Sequence, residues 1–262
     1  MSILEAIILG LIQGLSEFLP ISSSGHLELG KAILGVEAKE DVTFTVVVHG
    51  ATVLSTIVVF YKDILQLLKD LFKFQWNEST QYIAMLALSA IPVVFIGLFF
   101  KDQVESLFGN NVVFVGFMLL ITSALLAFTY YAPKVGGPIT FKKAIVIGFA
   151  QAFAVMPGIS RSGSTIATSL LLGVDKAKAA RFSFLMVLVP IIGANAKEVL
   201  DGGMANSSVS ATPLLVGFIA AFLSGFMACK WMISIVAKGK LIYFAAYCAL
   251  AGLAAIASSF FA

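Results

Sequence analysis

Apolar residues gather into long blocks along this chain, separated by short polar stretches. A membrane-spanning helix needs about 20 mostly apolar residues, and six blocks meet that length: 42–61, 82–100, 112–131, 182–200, 213–236 and 241–261. Two further blocks differ. The first, 3–19, holds Glu5, Gln13 and Glu17 and stops at Pro20 and a serine-rich turn; the second, 144–156, is short and stops at Pro157-Gly158. Each is followed by another short helical stretch, around 24–34 and 164–173. Short, broken and carrying polar groups, they read as re-entrant helical hairpins, because such a break survives at membrane depth only when buried in protein or lining a wet cavity. The pattern predicts an all-α polytopic membrane protein with six transmembrane helices plus two re-entrant hairpins, about 3–34 and 144–173, in a single membrane domain over 1–262.

The two hairpins align without a gap at an offset of 138 residues, AIILGLIQGLSEFLPISSSG from Ala6 against AIVIGFAQAFAVMPGISRSG from Ala144. The eight identities include Gln13/Gln151, Ser22/Ser160, Ser24/Ser162 and Gly25/Gly163, so they reach the polar break itself. Three spans separate the copies, and an odd number turns the second upside down. The expectation is an inverted-topology repeat, about 1–131 and 139–262, whose breaks enter from opposite sides and meet near mid-membrane.

Charge orients the chain. On this count the segments 62–81, 132–181 and 237–240 share one side, which holds Lys62, Lys69, Lys73, Lys134, Lys142, Lys143, Lys176, Lys178, Arg181, Lys238 and Lys240. The opposite side holds Lys31, Lys39 and Lys101. Eleven against three places the first side in the cytoplasm and both termini outside. The stretch 62–76 has an amphipathic look and is expected to lie along the inner surface. Composition agrees: 60% of residues are hydrophobic and 12% charged, against about 45–50% and 25% in soluble domains. A soluble, disordered or nucleic-acid-binding chain is excluded, and a net charge of +3 suggests no polyanion partner. Cys229 and Cys248 lie in apolar runs and form neither a disulfide framework nor a metal site. The first residues lack the basic start and cleavage signal of a removable leader.

The candidate chemistry sits at the breaks. Gln13 and Glu17 are four apart and share a helix face. Pro20 ends that helix and Ser22, Ser23, Ser24 and Gly25 can start the next, whose free N–H groups favour an anion. His26 is a candidate acid or base, and Ser23 a candidate nucleophile. The second break places Arg161 between Ser160 and Ser162, ahead of Gly163; a guanidinium can bond two phosphate oxygens at once. Ionisable groups at such depth are costly and usually functional. His49, inside the 42–61 block, reads as a packing histidine, and Arg181 as an anchor to lipid headgroups.

QGLSEFLPISSSGH at 13–26 and PGISRSGSTI at 157–166 resemble the undecaprenyl pyrophosphate phosphatase family of the bacitracin-resistance type, and length, hydropathy and repeat agree across the chain. The resemblance implies hydrolysis of a C55 polyprenyl diphosphate to the monophosphate, recycling the lipid carrier for cell-wall synthesis and conferring bacitracin resistance. It further implies a divalent cation, Mg²⁺ or Ca²⁺, and a site open to the periplasmic side of a bacterial cytoplasmic membrane. Glu17 matches the second acid of the family's (Glu/Gln)-x-x-x-Glu motif and would hold the metal. Gln13 matches the first, often Glu, a departure that weakens metal binding there. Ser22, Ser23 and His26 match its Ser-Ser-x-Gly-His segment, with Ser24 where Thr is common. Ser160, Arg161 and Ser162 match Pro-Gly-x-Ser-Arg-Ser-Gly in full. The implied catalytic set is Ser23, His26, Glu17 and Arg161; the phosphate-binding set is Ser22, Ser24, Gly25, Ser160, Arg161, Ser162 and Gly163. The expected partners are the diphosphate lipid and the bilayer, with no nucleic acid and with a homodimer left open.

Two other readings compete. A membrane acid phosphatase would need a second histidine after the arginine motif, but His49 precedes it. A polyprenyl-phosphate transporter would suit the inverted repeat, yet needs no acid–base pair beside an anion site.

Overall fold

The computed structural model describes residues 1–36, 41–107, 111–133, 136–200 and 209–259. Lys39, Lys134 and the last residues of the sixth apolar block lie outside them. Among the described residues the chain is helical: α1 Ile3–Phe18, α2 Ser23–Leu34, α3 Asp41–Val59, α4 Tyr61–Leu71, α5 Glu78–Phe99, α6 Lys101–Glu105, α7 Val112–Phe128, α8 Phe141–Phe153, α9 Arg161–Leu171, α10 Lys176–Met186, α11 Leu188–Leu200, α12 Ala211–Ala237 and α13 Ile242–Ser258. No strand forms among them; an isolated bridge joins Gly137 and Val174. This is an all-α, multi-pass membrane protein.

Local signals set the helix ends. Ser2 caps α1 by accepting from the Glu5 N–H while Glu5 accepts from the Ser2 N–H, a reciprocal cap that satisfies two free donors. α1 stops before Pro20, whose ring disfavours helix in the preceding residue. Asn77, Thr140 and Asp175 cap α5, α8 and α10 with their side chains. Among the described residues four segments are long and apolar enough to cross a membrane: Glu78–Phe99, Val112–Tyr131, Lys176–Ala196 and Ala211–Ala237. α3 reaches that test only together with α4, from which it is bent by 76°. α13 has 17 residues, about 25 Å at 1.5 Å per residue, slightly short of a hydrocarbon core. Length and composition therefore identify four or five spans rather than all six. The expected 182–200 span also starts earlier, because Asp175 accepts from the Ala177 and Lys178 N–H groups at 3.0 and 3.1 Å and starts the helix at Lys176.

Close helix crossings rest on small residues, since lipid offers no hydrophobic drive between helices. α1 packs along α12 and α8 along α5. At the first crossing a Cβ on Gly10 would come 2.5 Å from the Gly217 carbonyl oxygen; at the second a Cβ on Gly148 would come 2.5 Å from that of Ser89. α7 and α13 cross at Gly116 and Gly252, each of whose Cβ positions is filled by the other's carbonyl oxygen. Outside these seams, large apolar side chains such as Phe95, Leu98, Leu223 and Trp231 stay exposed, as a lipid-facing surface requires.

Candidate active site

The two breaks meet. A Cβ on Gly25 would lie 3.0 Å from Gly158 Cα, and one on Gly163 would lie 3.3 Å from Pro20 Cβ. Ser162 Oγ donates to the Leu19 carbonyl at 3.2 Å across the junction. Each break opens a helix by the same cap: the Ser22 hydroxyl accepts from the Gly25 N–H at 3.2 Å, and the Ser160 hydroxyl from the Gly163 N–H at 3.0 Å. The flanking hydroxyls also match, with Ser22 and Ser24 3.3 Å apart and Ser160 and Ser162 3.3 Å apart. Each break is tied from behind by a long helix. Thr122 on α7 donates to the Gly158 carbonyl at 3.1 Å and accepts from the Ser160 N–H at 3.0 Å. Cys248 on α13 approaches the Pro20 carbonyl at 3.7 Å.

The buried Glu17 carboxylate is the centre of the junction. One oxygen accepts from the Ser23 hydroxyl at 2.7 Å and from the Gln13 amide at 2.9 Å. The other pairs with the Arg161 guanidinium from the second break. His49 approaches as well: Nδ1 bonds the Thr45 carbonyl at 2.8 Å, and Nε2 lies 3.9 Å from Glu17. A carbonyl only accepts, so Nδ1 carries hydrogen, and only an imidazolium would donate toward Glu17.

His26 has partners of its own, separate from those of Ser23. Its Nδ1 donates to the Ser22 carbonyl at 2.8 Å, which leaves Nε2 as the acceptor for the Tyr247 hydroxyl, also at 2.8 Å. The two rings stack at 5.5 Å and 17°. The backbone therefore fixes the tautomer, and Tyr247 fixes the ring plane. Sequence reasoning missed Tyr247 because a tyrosine within an apolar helix reads as packing. It passed over His49 for the same reason, although that histidine shares a block with no other charge.

Oxygen chemistry at Glu17 suits a hard cation in part. Gln13 Oε1 is buried without a partner, one carboxylate stands beside it, and Mg²⁺ commonly takes one or two carboxylates plus substrate phosphates and waters. Among the described residues no three His, Cys, Asp or Glu side chains gather as a metal cluster, so this protein alone would supply few ligands. The cavity beside Glu17, Arg161, Thr52 and Thr56 measures about 10 Å³, roughly room for one water. A much larger one lies elsewhere, beside Tyr82 and Arg181.

A polytopic membrane protein in which two broken helical segments join around one carboxylate, one guanidinium and several hydroxyls is thus in place. The chain belongs to the bacitracin resistance protein BacA family, whose model matches residues 6–254. An undecaprenyl-diphosphatase of Parabacteroides distasonis is 57% identical over 261 residues, covering 98% of each chain. One of Bacteroides thetaiotaomicron is 56% identical over 260 residues with the same coverage. A more distant undecaprenyl-diphosphatase, of Methanosphaera stadtmanae, is 38% identical over 277 residues, again covering 98% of each.

Proposed function

We propose that this protein hydrolyses undecaprenyl diphosphate to undecaprenyl phosphate and inorganic phosphate, returning the lipid carrier to cell-wall synthesis and thereby conferring bacitracin resistance. The observation that carries the reading is the Glu17 carboxylate, which joins Ser23 of one break to Arg161 of the other. Relatives of the same length and more than half-identical bear the diphosphatase name.

Ser23 Oγ attacks the terminal phosphorus while Glu17 takes its proton. The bond from that phosphorus to the bridging oxygen breaks, and the lipid monophosphate leaves. Water then cleaves the Ser23 phosphoester and releases phosphate. Glu17, rather than His26, serves as base in the first step because the Ser23 hydroxyl already donates to it. In the second step the Tyr247 hydroxyl turns from His26 Nε2 to the attacking water. Nε2 takes the water's proton as the water oxygen bonds phosphorus and the bond to Ser23 Oγ breaks, and Glu17 returns its proton to Ser23. Arg161 and the N–H groups that open α2 and α9 hold phosphoryl oxygens, where fixed donors stabilise developing charge without reorganising. Glu17 and Gln13 Oε1 would hold a bound Mg²⁺ or Ca²⁺, which supplies charge neutralisation for the diphosphate. For a phosphate to enter, Arg161 must share or leave its pairing with Glu17, since the two are in direct contact and the cavity beside them is too small.

The architecture belongs to the same proposal: six spans and two re-entrant hairpins, related as inverted repeats. The matched crossings of α1 with α12 and α8 with α5 support it, as do the matched ties from Cys248 to Pro20 and Thr122 to Gly158. The Lys/Arg asymmetry supports both termini outside, and membership of the family supports a site open to the periplasm.

The test is phosphate release from a C55 polyprenyl diphosphate by the purified protein in detergent, where no transport can occur. Release that is lost with a chelator and restored by magnesium or calcium is expected. A protein that binds the diphosphate but frees no phosphate would leave the transport reading in its place.

A further inference from the structure

A cavity of about 430 Å³, sharing no lining residue with the one beside Glu17, lies between α4, the start of α5, residues 138–139 and α10. That volume is within the usual range of small-molecule pockets, about 300–1,000 Å³. Its polar lining includes Tyr82, Lys178 and Arg181, and its apolar lining includes Leu67, Met85 and Ile139. Two buried polar atoms of these lining residues have no hydrogen-bond partner, the Tyr82 hydroxyl and Arg181 Nε. Such atoms are rare in native proteins and call for an explanation. Ser79 also lines the cavity, but its hydroxyl is spent on Asp70 at 2.7 Å.

The lining chemistry selects an anion of low charge. Arg181 already pairs with Asp63 at 2.6 Å and lies 5.3 Å from the Tyr82 ring centroid. Lys178 is exposed at the rim, where exposed Glu78 offsets it. Two cations and two carboxylates leave the surroundings near neutral, which suits a phosphodiester better than a dianionic phosphate or a diphosphate. The setting selects a lipid. The cavity sits on the lysine-rich side, and the adjoining turn exposes Phe72, Phe74 and Trp76, the aromatic residues that mark a membrane interface. Leu67, Met85, Pro138 and Ile139 give it an apolar side, as the start of an acyl chain would require.

We propose that this cavity binds the phosphodiester headgroup of a membrane glycerophospholipid. The buried Tyr82 hydroxyl and Arg181 Nε turn toward the cavity to donate to the phosphate, Lys178 closes over it, and the glycerol and upper acyl carbons lie on Leu67, Met85 and Ile139. The site is independent of the diphosphatase reading and would stand if that reading failed.

Native mass spectrometry of the full-length protein, delipidated and re-exposed to phosphatidylglycerol in detergent, tests this. Wild type is expected to retain one lipid, and Tyr82→Phe and Lys178→Gln to weaken retention by about tenfold each, as the loss of a hydrogen bond to a charged group predicts. Tyr82→Phe is also expected to unfold at the same or a higher temperature than wild type in lipid-free detergent, because its hydroxyl has no protein partner to lose. Retention unchanged in both variants would overturn the site. So would lipid displaced by millimolar inorganic phosphate, which would make it a free-anion site, or lipid lost only in Arg161→Gln, which would place it at the Glu17 junction.

Discussion

Ser23 and Arg161 occupy the same position in the two hairpins at the 138-residue offset, and they bond the two oxygens of one carboxylate. Around them the breaks share a frame: a capping serine, a second hydroxyl 3.3 Å from it, and a glycine pressed against the opposite break. The chemistry differs. One copy contributes the hydroxyl, Glu17 and His26; the other contributes the guanidinium and has Val155 where the first has Glu17. The backbones also differ. The first break puts its left-handed residue at Ser22, φ 71°, whereas the second puts it at Gly158, φ 96°. The residue aligned with Gly158 is Pro20, whose ring locks φ near −65°, so the first break must turn two residues later. A common frame can thus hold unlike groups, and on the proposed mechanism that asymmetry places a nucleophile and an anion clamp on opposite flanks of one phosphate.

The largest expected effect comes from removing the cation of the second break. Arg161→Lys should fold and insert, yet phosphate release should fall by about two orders of magnitude or more, because a point ammonium cannot bond two phosphoryl oxygens as the planar fork does. Glu17→Gln should fall comparably, since an amide oxygen can accept a hydrogen bond from Ser23 but cannot take its proton, and Arg161 is left without its counter-charge. Wild-type turnover in Arg161→Lys would dissolve the division of labour between the breaks.

A smaller effect sharpens the first break alone. Tyr247→Phe keeps the stacked ring but deletes the hydroxyl bonded to His26 Nε2. kcat for phosphate release is expected to drop about tenfold with KM little changed, the size of one lost positioning hydrogen bond. An unchanged kcat would remove Tyr247 from the site and leave His26 oriented by the Ser22 carbonyl alone.

Much of this site was legible in the sequence, for a definable reason. Glu17, Arg161 and the serines interrupt apolar segments, where every polar group is costly, and the repeat alignment points both interruptions at one place. Tyr247, Thr122 and Cys248 carried no such signal. Each lies in a block that is apolar anyway, and their partners, His26, Gly158 and Pro20, are 36 to 228 positions away. The span boundaries failed where charge and helix diverge: Lys176 and Lys178 break the hydropathy of the fourth block while Asp175 caps a helix that includes them. Arg181 reads as a headgroup anchor from its neighbours; tertiary packing adds Asp63 and Tyr82 as partners, which the sequence did not signal.

The last comparison concerns the backbone of the two caps. Ser22 holds φ 71° and ψ 97°, a region unfavourable to any side chain, while Ser160 holds φ −73° and ψ 115°. Replacing either serine with glycine forfeits a capping hydroxyl, at a cost of a few tenths of a kcal/mol, and adds unfolded-state freedom of about 0.5–1 kcal/mol. Only at Ser22 does the change also relieve an unfavourable conformation, a gain of order 1–3 kcal/mol. Ser22→Gly is therefore expected to match or exceed the wild-type unfolding temperature in detergent, and Ser160→Gly to fall below it by about 1 kcal/mol of stability. If Ser22→Gly were destabilised as much as Ser160→Gly, the left-handed turn would carry no strain. Pro20 would then have displaced the turn along the chain without cost, and the two breaks would differ in chemistry alone.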